Sequence, residues 1–101
     1  MVTIIARIRV LPGSEKVFEE VFRRRRQRCL ATEPQTLRYD LFREPAEPSV
    51  FTVIEVFTSP AGEQAHLDNS TDHVEMMVCF DGTPEVHRLE DCFGDSSRAA
   101  V

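Results

Sequence analysis

The chain has 101 residues and a formal net charge of −5, from 17 acidic and 12 basic side chains. A chain of this length supports one hydrophobic core, so we expect a single domain. The acidic balance argues against nucleic acid as a partner, because proteins that bind nucleic acid present a basic surface to the phosphates.

The cysteines and the apolar segments favour a cytoplasmic protein. Cys29, Cys79 and Cys92 form no CxxC pair and, together with the histidines, no metal-ligand spacing, so we expect no bound metal. The N-terminus lacks a signal-peptide pattern, and no apolar run approaches the roughly 20 residues of a membrane span. We therefore expect no membrane partner and three reduced cysteines.

The first half of the chain predicts a strand and a long helix. Residues alternate between apolar and polar from Val2 to Val10, which is typical of a strand. From Ser14 to Thr32 the apolar residues recur with helical spacing. Five arginines lie between Arg23 and Arg28, and we expect them to form the solvated side of this helix, with ion pairs Glu19–Arg23 and Glu20–Arg24.

Two further strands and a second helical region follow. Glu33-Pro34 ends the first helix, and alternation over Leu37–Phe42 and Val50–Phe57 predicts an antiparallel pair of strands. Ser59-Pro60 is a typical helix start. A polar segment over residues 68–72 interrupts this helix.

The remaining chain completes the pattern. A second helical piece, from His73 to about Phe80, is expected to turn Val74, Met77, Val78 and also Phe80 inward. Alternation from Glu85 to Phe93 predicts a fourth strand. Residues 94–101 are small and polar, and we expect a flexible C-terminal tail.

The order of elements predicts an α+β domain of ferredoxin-like βαββαβ type over residues 1–93. Four strands form an antiparallel sheet, and the helices cover one of its faces. Because the other face also carries apolar residues, we expect a second copy of the chain to cover it and to form a homodimer.

A set of short segments at characteristic spacing extends this interpretation: Glu33-Pro34, Leu37-Arg38-Tyr39, Phe51, Glu55, Ala65-His66-Leu67 and His73. Together they resemble the antibiotic biosynthesis monooxygenase (ABM) family, over Thr3 to Phe93. The resemblance implies a dimeric α/β barrel with a pocket between sheet and helices in each protomer. It also implies oxidation of a small aromatic molecule, such as a quinol, an anthrone or a polyketide, by O₂ without metal, flavin or other cofactor. Other relatives degrade haem or isomerise small sugars.

The chain departs from the family pattern at several positions. Gln35 stands where the family commonly has glycine, and Phe57 where it often has tryptophan. The segment between His66 and His73 is longer than usual. Ala6 occupies the position of an asparagine in haem-degrading relatives, which together with Phe57 disfavours haem degradation.

Three residues are candidates for catalysis. His66 and His73 could deprotonate a substrate, because an imidazole titrates near neutral pH. The structural alternative for His66 is a hydrogen bond to a backbone carbonyl or to Glu55. Glu55 lies on an otherwise apolar strand face, where a carboxylate must be paired. It is either a salt-bridge partner of Arg38 or Arg7, or a base that faces the pocket.

Three further residues are candidates for substrate binding. Tyr39, the one tyrosine, is either a core or interface aromatic or a phenol that faces the ligand. Phe57 and Met77 would shape the pocket and exclude water. His87, on the last strand, is expected on the surface or in an interface.

Three functions remain open: a cofactor-independent monooxygenase, a non-catalytic dimeric ligand-binding domain and an isomerase of a small metabolite. The pocket discriminates among them. An open apolar cavity favours the oxygenase, a filled one the binding domain, and a polar one the isomerase.

Overall fold

A computed structural model describes residues 1–93, which form four strands and three helices. The elements are β1 (Val2–Arg9), α1 (Glu15–Thr32), β2 (Thr36–Glu44), β3 (Glu47–Phe57), α2 (Pro60–Asp68), α3 (His73–Met77) and β4 (Glu85–Glu90). The predicted α+β, ferredoxin-like order is confirmed, with the second helical region divided into α2 and α3. The predicted C-terminal tail, residues 94–101, lies outside the described residues.

The strands form one antiparallel sheet in the order β2-β3-β1-β4. The register places Glu55 of β3 opposite Ile4 of β1 and opposite Tyr39 of β2. Side chains in directly opposed positions lie on the same face of a sheet. Glu55 therefore lies in the middle of the sheet, on the face that the helices cover.

The hydrophobic core lies between this face and α1. Phe18 of α1 is fully buried and packs on Phe51 of β3, with ring centroids 5.0 Å apart. Phe22 packs on Tyr39 in the same layer, at 4.6 Å. No helix among residues 1–93 is both long and apolar enough to cross a membrane.

The arginine run of α1 is only partly solvated. Arg23, Arg24 and Arg26 are exposed as expected, but Arg25 is 4% exposed, so the prediction of a fully solvated run is wrong at this position. The predicted pairs over four residues do not form either. Glu20 bonds Arg23, three residues away, and Arg24 reaches Glu75 of α3. Contacts with the rest of the fold outweigh local pairing on this helix.

The inward face of α3 also differs from the prediction. Met76 and Cys79 are buried, whereas Val74, Met77 and Val78 are 71%, 50% and 67% exposed. A helix of five residues is too short for its own apolar pattern to fix its orientation. Its orientation follows instead from anchoring contacts at its start, which are described below.

Gly62 in the first turn of α2 has a packing role. Ser59 caps this helix as predicted, and its hydroxyl accepts a hydrogen bond from the Gly62 N–H at 3.2 Å. A Cβ atom at Gly62 would lie 2.7 Å from Cβ of Gln35, which is closer than side chains tolerate. The side chain of Gln35 thus fills the space that a side chain on residue 62 would occupy.

The second face of the sheet carries no helix among the described residues. Its central positions are apolar, with Ile5 opposite Ile54 and Val56 beside them, and Phe42 and Leu89 lie towards its two edges. Phe42 and Leu89 are 46% and 49% exposed. This face therefore combines an apolar centre with partly exposed apolar edges.

Candidate active site

A cavity of about 420 Å³ lies between the helix-covered face of the sheet and the segment that contains α2 and α3. Most of its lining is apolar, from Ile4, Ala6 and Val53 of the sheet and Leu67, Met76 and Phe80 of the helical side. His73 and Val86 also line it and are exposed, so the cavity opens to solvent at these residues.

The structure brings four of the six predicted site residues together in this cavity. Tyr39, Glu55, His66 and His73 all line it. Phe57 does not; it is fully buried behind the site and packs on the His66 ring at 5.2 Å. Met77 points away from the cavity, half exposed, and Met76 lines it instead.

His66 lies between two carboxylates. Its Nδ1 is 2.7 Å from Oε1 of Glu33, and its Nε2 is 3.1 Å from Oε1 of Glu55. The residue is 2% exposed. Of the two structural alternatives considered for His66, the structure thus shows the bond to Glu55, and it adds a second partner at the end of α1.

The expected arginine partners of Glu55 pair elsewhere. Arg7 bonds Glu44 at 2.9 Å, and Arg38 bonds Asp40 at 2.9 Å. Both arginines alternate onto the second face of the sheet, so the prediction that either pairs with Glu55 is wrong. The second carboxylate oxygen of Glu55, Oε2, has no hydrogen-bond partner among residues 1–93, and the side chain lines the cavity.

The environment of His66 favours its protonated form. Burial by itself lowers the pKa of the imidazole, but contacts with Cys29, Glu55 and Glu33 outweigh burial and raise the pKa from 6.5 to about 10. At neutral pH the ring is therefore an imidazolium, whose Nδ1–H donates to Glu33 and whose Nε2 forms an ion pair with Glu55.

Glu33 is held in its ionised form. Burial raises the pKa of this carboxyl group, but hydrogen bonds from Asn69, His66 and Thr36 outweigh it and lower the pKa from 4.5 to about 2. Asn69 Nδ2 donates to Oε2 at 2.6 Å, and the Thr36 hydroxyl donates to Oε1 at 2.8 Å. Glu33 caps the end of α1, a position that sequence reasoning used only to end the helix.

A buried arginine completes the polar side of the cavity. Arg25 Nε donates to the Tyr39 hydroxyl at 2.7 Å, and Nη2 donates to the Ser70 hydroxyl at 2.6 Å. Its Nη2 also lies 3.5 Å from His66 Nε2, a contact between two cations rather than a hydrogen bond. Burial raises the pKa of Tyr39 above its usual value, so its side chain is a neutral phenol at neutral pH.

Sequence reasoning missed Arg25, although the pattern contained a signal. Val21, Arg25 and Cys29 are spaced by four residues, and all three are buried on the same side of α1. An arginine in register with an apolar stripe indicates a buried guanidinium with a partner.

One cluster could hold a metal ion. Among residues 1–93, only the ligand atoms of Cys29, Glu33 and His66 lie close enough together, within 4.8 Å of one another. Both oxygens of Glu33 and Nδ1 of His66 already have hydrogen-bond partners, and Nε2 of His66 lies 3.1 Å from the Glu55 carboxylate. The donor set therefore fits a proton-holding cluster better than a metal site.

Comparison with known proteins identifies the family. The family model described as antibiotic biosynthesis monooxygenase matches residues 1–77. The chain belongs to this family. No curated protein matches the chain. Solved structures with low sequence identity to this chain share its fold.

One similar structure is that of a protein from Caulobacter crescentus CB15 proposed to be an antibiotic biosynthesis monooxygenase. It has a TM-score of 0.82 and 27% identity, and the match covers 91% of this chain and 90% of that chain. A protein from Nitrosomonas europaea with the same proposed assignment has a TM-score of 0.81 and 15% identity, over 92% and 100% of the two chains. SnoaB, a cofactor-independent oxygenase from Streptomyces nogalater solved as a mutant, has a TM-score of 0.77 and 23% identity, over 92% and 94%.

Proposed function

We propose that this ABM-family protein is a cofactor-independent monooxygenase that oxidises a small aromatic molecule, of quinol, anthrone or polyketide type, with O₂. The observation that carries the proposal is the open, mostly apolar cavity with a carboxylate, Glu55, in its wall. The alternatives of a binding domain and an isomerase predict a filled or a polar cavity, respectively. The similarity to SnoaB, a cofactor-independent oxygenase, supports the same function.

In the proposed mechanism Glu55 is the proton acceptor. The expectation from sequence gave this role to His66 or His73, but the pKa of His66 leaves its ring protonated at neutral pH. His66 instead pairs with Oε1 of Glu55, a residue that lines the cavity, and in the proposal Oε2 accepts the proton. His73, at the solvent-exposed side, would pass the proton to water.

The chemical steps balance without a further reductant. Glu55 removes a proton from the aromatic substrate, and the carbon that keeps the electron pair reduces O₂ and bonds to it, which gives a peroxide anion. This anion takes a proton and becomes a hydroperoxide. Loss of a second proton from the same carbon then breaks the O–O bond. One oxygen atom stays in the product as a carbonyl group, and the other leaves as water.

The apolar lining serves this chemistry by excluding water from the reactive anion. In the proposal Tyr39 contacts the substrate oxygen, and Phe57 supports the His66 ring from behind. Met76 takes the place that sequence reasoning gave to Met77. We further propose that the protein acts in the cytoplasm and as a homodimer through the second sheet face.

Oxygen uptake tests the proposal. Anthrones and naphthoquinols are supplied aerobically to the metal-free protein, and uptake is compared between wild type and Glu55→Gln. We expect Glu55→Gln to lower kcat by about 100-fold or more, since it removes the proton acceptor. Glu47→Gln, which replaces an exposed glutamate at the start of the same strand, is the matched control and should leave uptake unchanged. Uptake that never exceeds that of Glu55→Gln for any compound would contradict the proposal.

A further inference from the structure

Arg25 lines the cavity, yet the proposed mechanism assigns it no chemical step. Its guanidinium is fixed by three partners: the Tyr39 hydroxyl of β2, and the Ser70 hydroxyl and Asp72 Oδ1 (3.3 Å) of the segment between α2 and α3. A buried guanidinium with this many partners has little freedom to move. We therefore expect Arg25 to affect a ligand in the cavity by orienting the groups that it contacts.

The contact with Tyr39 has a definite direction. A guanidinium only donates hydrogen bonds, so Arg25 Nε–H donates and the Tyr39 oxygen accepts. The proton of the Tyr39 hydroxyl is therefore not used by Arg25. Among residues 1–93 the phenolic oxygen of Tyr39 has no other hydrogen-bond partner, while the residue itself lines the cavity.

Glu55 supplies the complementary group. It lies directly opposite Tyr39 in the register of β2 and β3, on the same face of the sheet. One wall of the cavity thus combines a hydroxyl with a free proton and a carboxylate oxygen with free lone pairs. A ligand hydroxyl can both donate and accept, so it satisfies both groups at once.

We propose that Arg25 is a positioning residue, which occupies the accepting side of the Tyr39 hydroxyl and so directs its O–H towards the oxygen of a bound hydroxyarene. The inference rests on the proposed function only for the class of ligand. The positive charge of Arg25 also polarises the phenol, which strengthens the hydrogen bond that Tyr39 donates.

Equilibrium binding without oxygen tests this role. The probes are 2-naphthol and naphthalene, which differ by the hydroxyl group, and their dissociation constants are measured anaerobically from probe fluorescence. We expect wild type to prefer 2-naphthol about three- to tenfold, as one net hydrogen bond provides. Tyr39→Phe and Arg25→Met should both lose this preference while binding naphthalene as wild type does. The double variant should show no further loss.

Arg23→Met is the matched control, because Arg23 is exposed on the same helix and bonds only Glu20 and Gln27. It should keep the preference for 2-naphthol. If Arg25 had only a structural role, Arg25→Met would bind both probes more weakly and to the same extent. That result would overturn the inference. If Arg25→Met does not fold, Tyr39→Phe provides the test. The inference is overturned if Tyr39→Phe still prefers 2-naphthol to naphthalene, or if wild type shows no such preference.

These outcomes are separate from those of the oxygen-uptake experiment. A wild-type protein that prefers 2-naphthol but never consumes O₂ contradicts the proposed function and supports the role of Arg25. A wild-type protein that consumes O₂ but does not prefer 2-naphthol to naphthalene supports the proposed function and contradicts the role of Arg25.

Discussion

His66 keeps its proton although burial lowers the pKa of its ring, because contacts with Cys29, Glu55 and Glu33 outweigh burial. Glu33 accepts a hydrogen bond from Nδ1 at 2.7 Å, and Glu55 forms an ion pair with Nε2 at 3.1 Å. The nearby Arg25 opposes this charge, but its own partners hold it in place. The balance leaves a buried imidazolium, which cannot accept a proton from a substrate at neutral pH.

This charge makes stability depend on pH at the alkaline end. The pKa of His66 is raised from 6.5 to about 10, so its contribution is fully present below about pH 6.5 and is lost as the pH rises to about 10. We expect the free energy of unfolding to fall over this interval by up to about 1.4 kcal/mol per pH unit. Urea unfolding at a series of pH values from 6 to 10 measures this decrease in the free energy of unfolding.

His66→Gln should flatten this dependence, and His87→Gln, at an exposed position, should retain it. Side-chain ¹⁵N shifts give an independent reading. A His66 ring that titrates near pH 6.5 would contradict the assignment. At the acid end the sign reverses, because the lowered pKa of Glu33 adds stability that is present above pH 4.5 and lost as the pH falls towards 2.

Gly62 is required by the side chain of Gln35. We expect Gly62→Ala to cost about 1–3 kcal/mol in the free energy of unfolding, because the new Cβ would lie 2.7 Å from Cβ of Gln35, an atom fixed to the backbone. Gln35→Gly in the same chain should recover part of this loss, which chemical denaturation of the four proteins in the cycle would show. Equal stability of Gly62→Ala and wild type would exclude the steric explanation.

Helix α1 anchors the segment that closes the cavity. Arg28 bonds Asp72 at 2.8 Å and the backbone oxygen of Asn69 at 3.1 Å, and Arg25 also reaches Asp72. Asp72 stands immediately before α3, so these contacts set the orientation of that helix. They explain why Met76 turns inward although the local sequence does not dictate it.

Removal of this anchor should loosen α3 more than the rest of the fold. We expect Asp72→Asn to speed amide hydrogen exchange in residues 73–77 by about tenfold, the equivalent of about 1.4 kcal/mol of local stability. Exchange in β1 and β3 should change less. Asp68→Asn is the control, since Asp68 is exposed and bonds only Gln64. Uniform acceleration along the whole chain would show that Asp72 supports global stability instead.

The sequence predicted the long elements because their periodicity is strong and continuous. The strands and α1 were placed to within about three residues at each end, and Glu55 was correctly marked as a polar residue on the core side of β3. The contact between His66 and Glu55 was among the predicted alternatives, but Glu33 was not predictable as a partner of His66, because it lies 33 residues away in the sequence. Only the fold brings them together. The burial of Arg25 was predictable from its spacing to Val21 and Cys29, but its neighbours in the arginine run obscured it.

At the scale of the whole molecule, the second face of the sheet has no helix packed against it among residues 1–93. Ile5, Ile54 and Val56 form its centre, and Phe42 and Leu89 are partly exposed beside them. Apolar surface of this kind favours association. We propose that two copies pack these faces together, as the family resemblance implies.

A charge in the centre of this face should separate the copies. We expect Ile54→Lys to convert a dimer to a folded monomer at micromolar concentration, because a buried unpaired charge opposes association. Light scattering after size exclusion measures the mass, and circular dichroism confirms folding. Val74→Lys on α3, where the residue is 71% exposed, should remain dimeric. A monomeric wild type, or a dimeric Ile54→Lys, would contradict the proposed interface.

The central proposal is direct reaction of a bound aromatic anion with O₂, and isotope labelling tests it most directly. The metal-free protein is given ¹⁸O₂ and the naphthoquinol or anthrone that it consumes fastest, and the product and the solvent water are analysed by mass spectrometry. The account predicts one ¹⁸O atom in each product molecule and the second in water. A product without ¹⁸O, formed together with hydrogen peroxide, would contradict it.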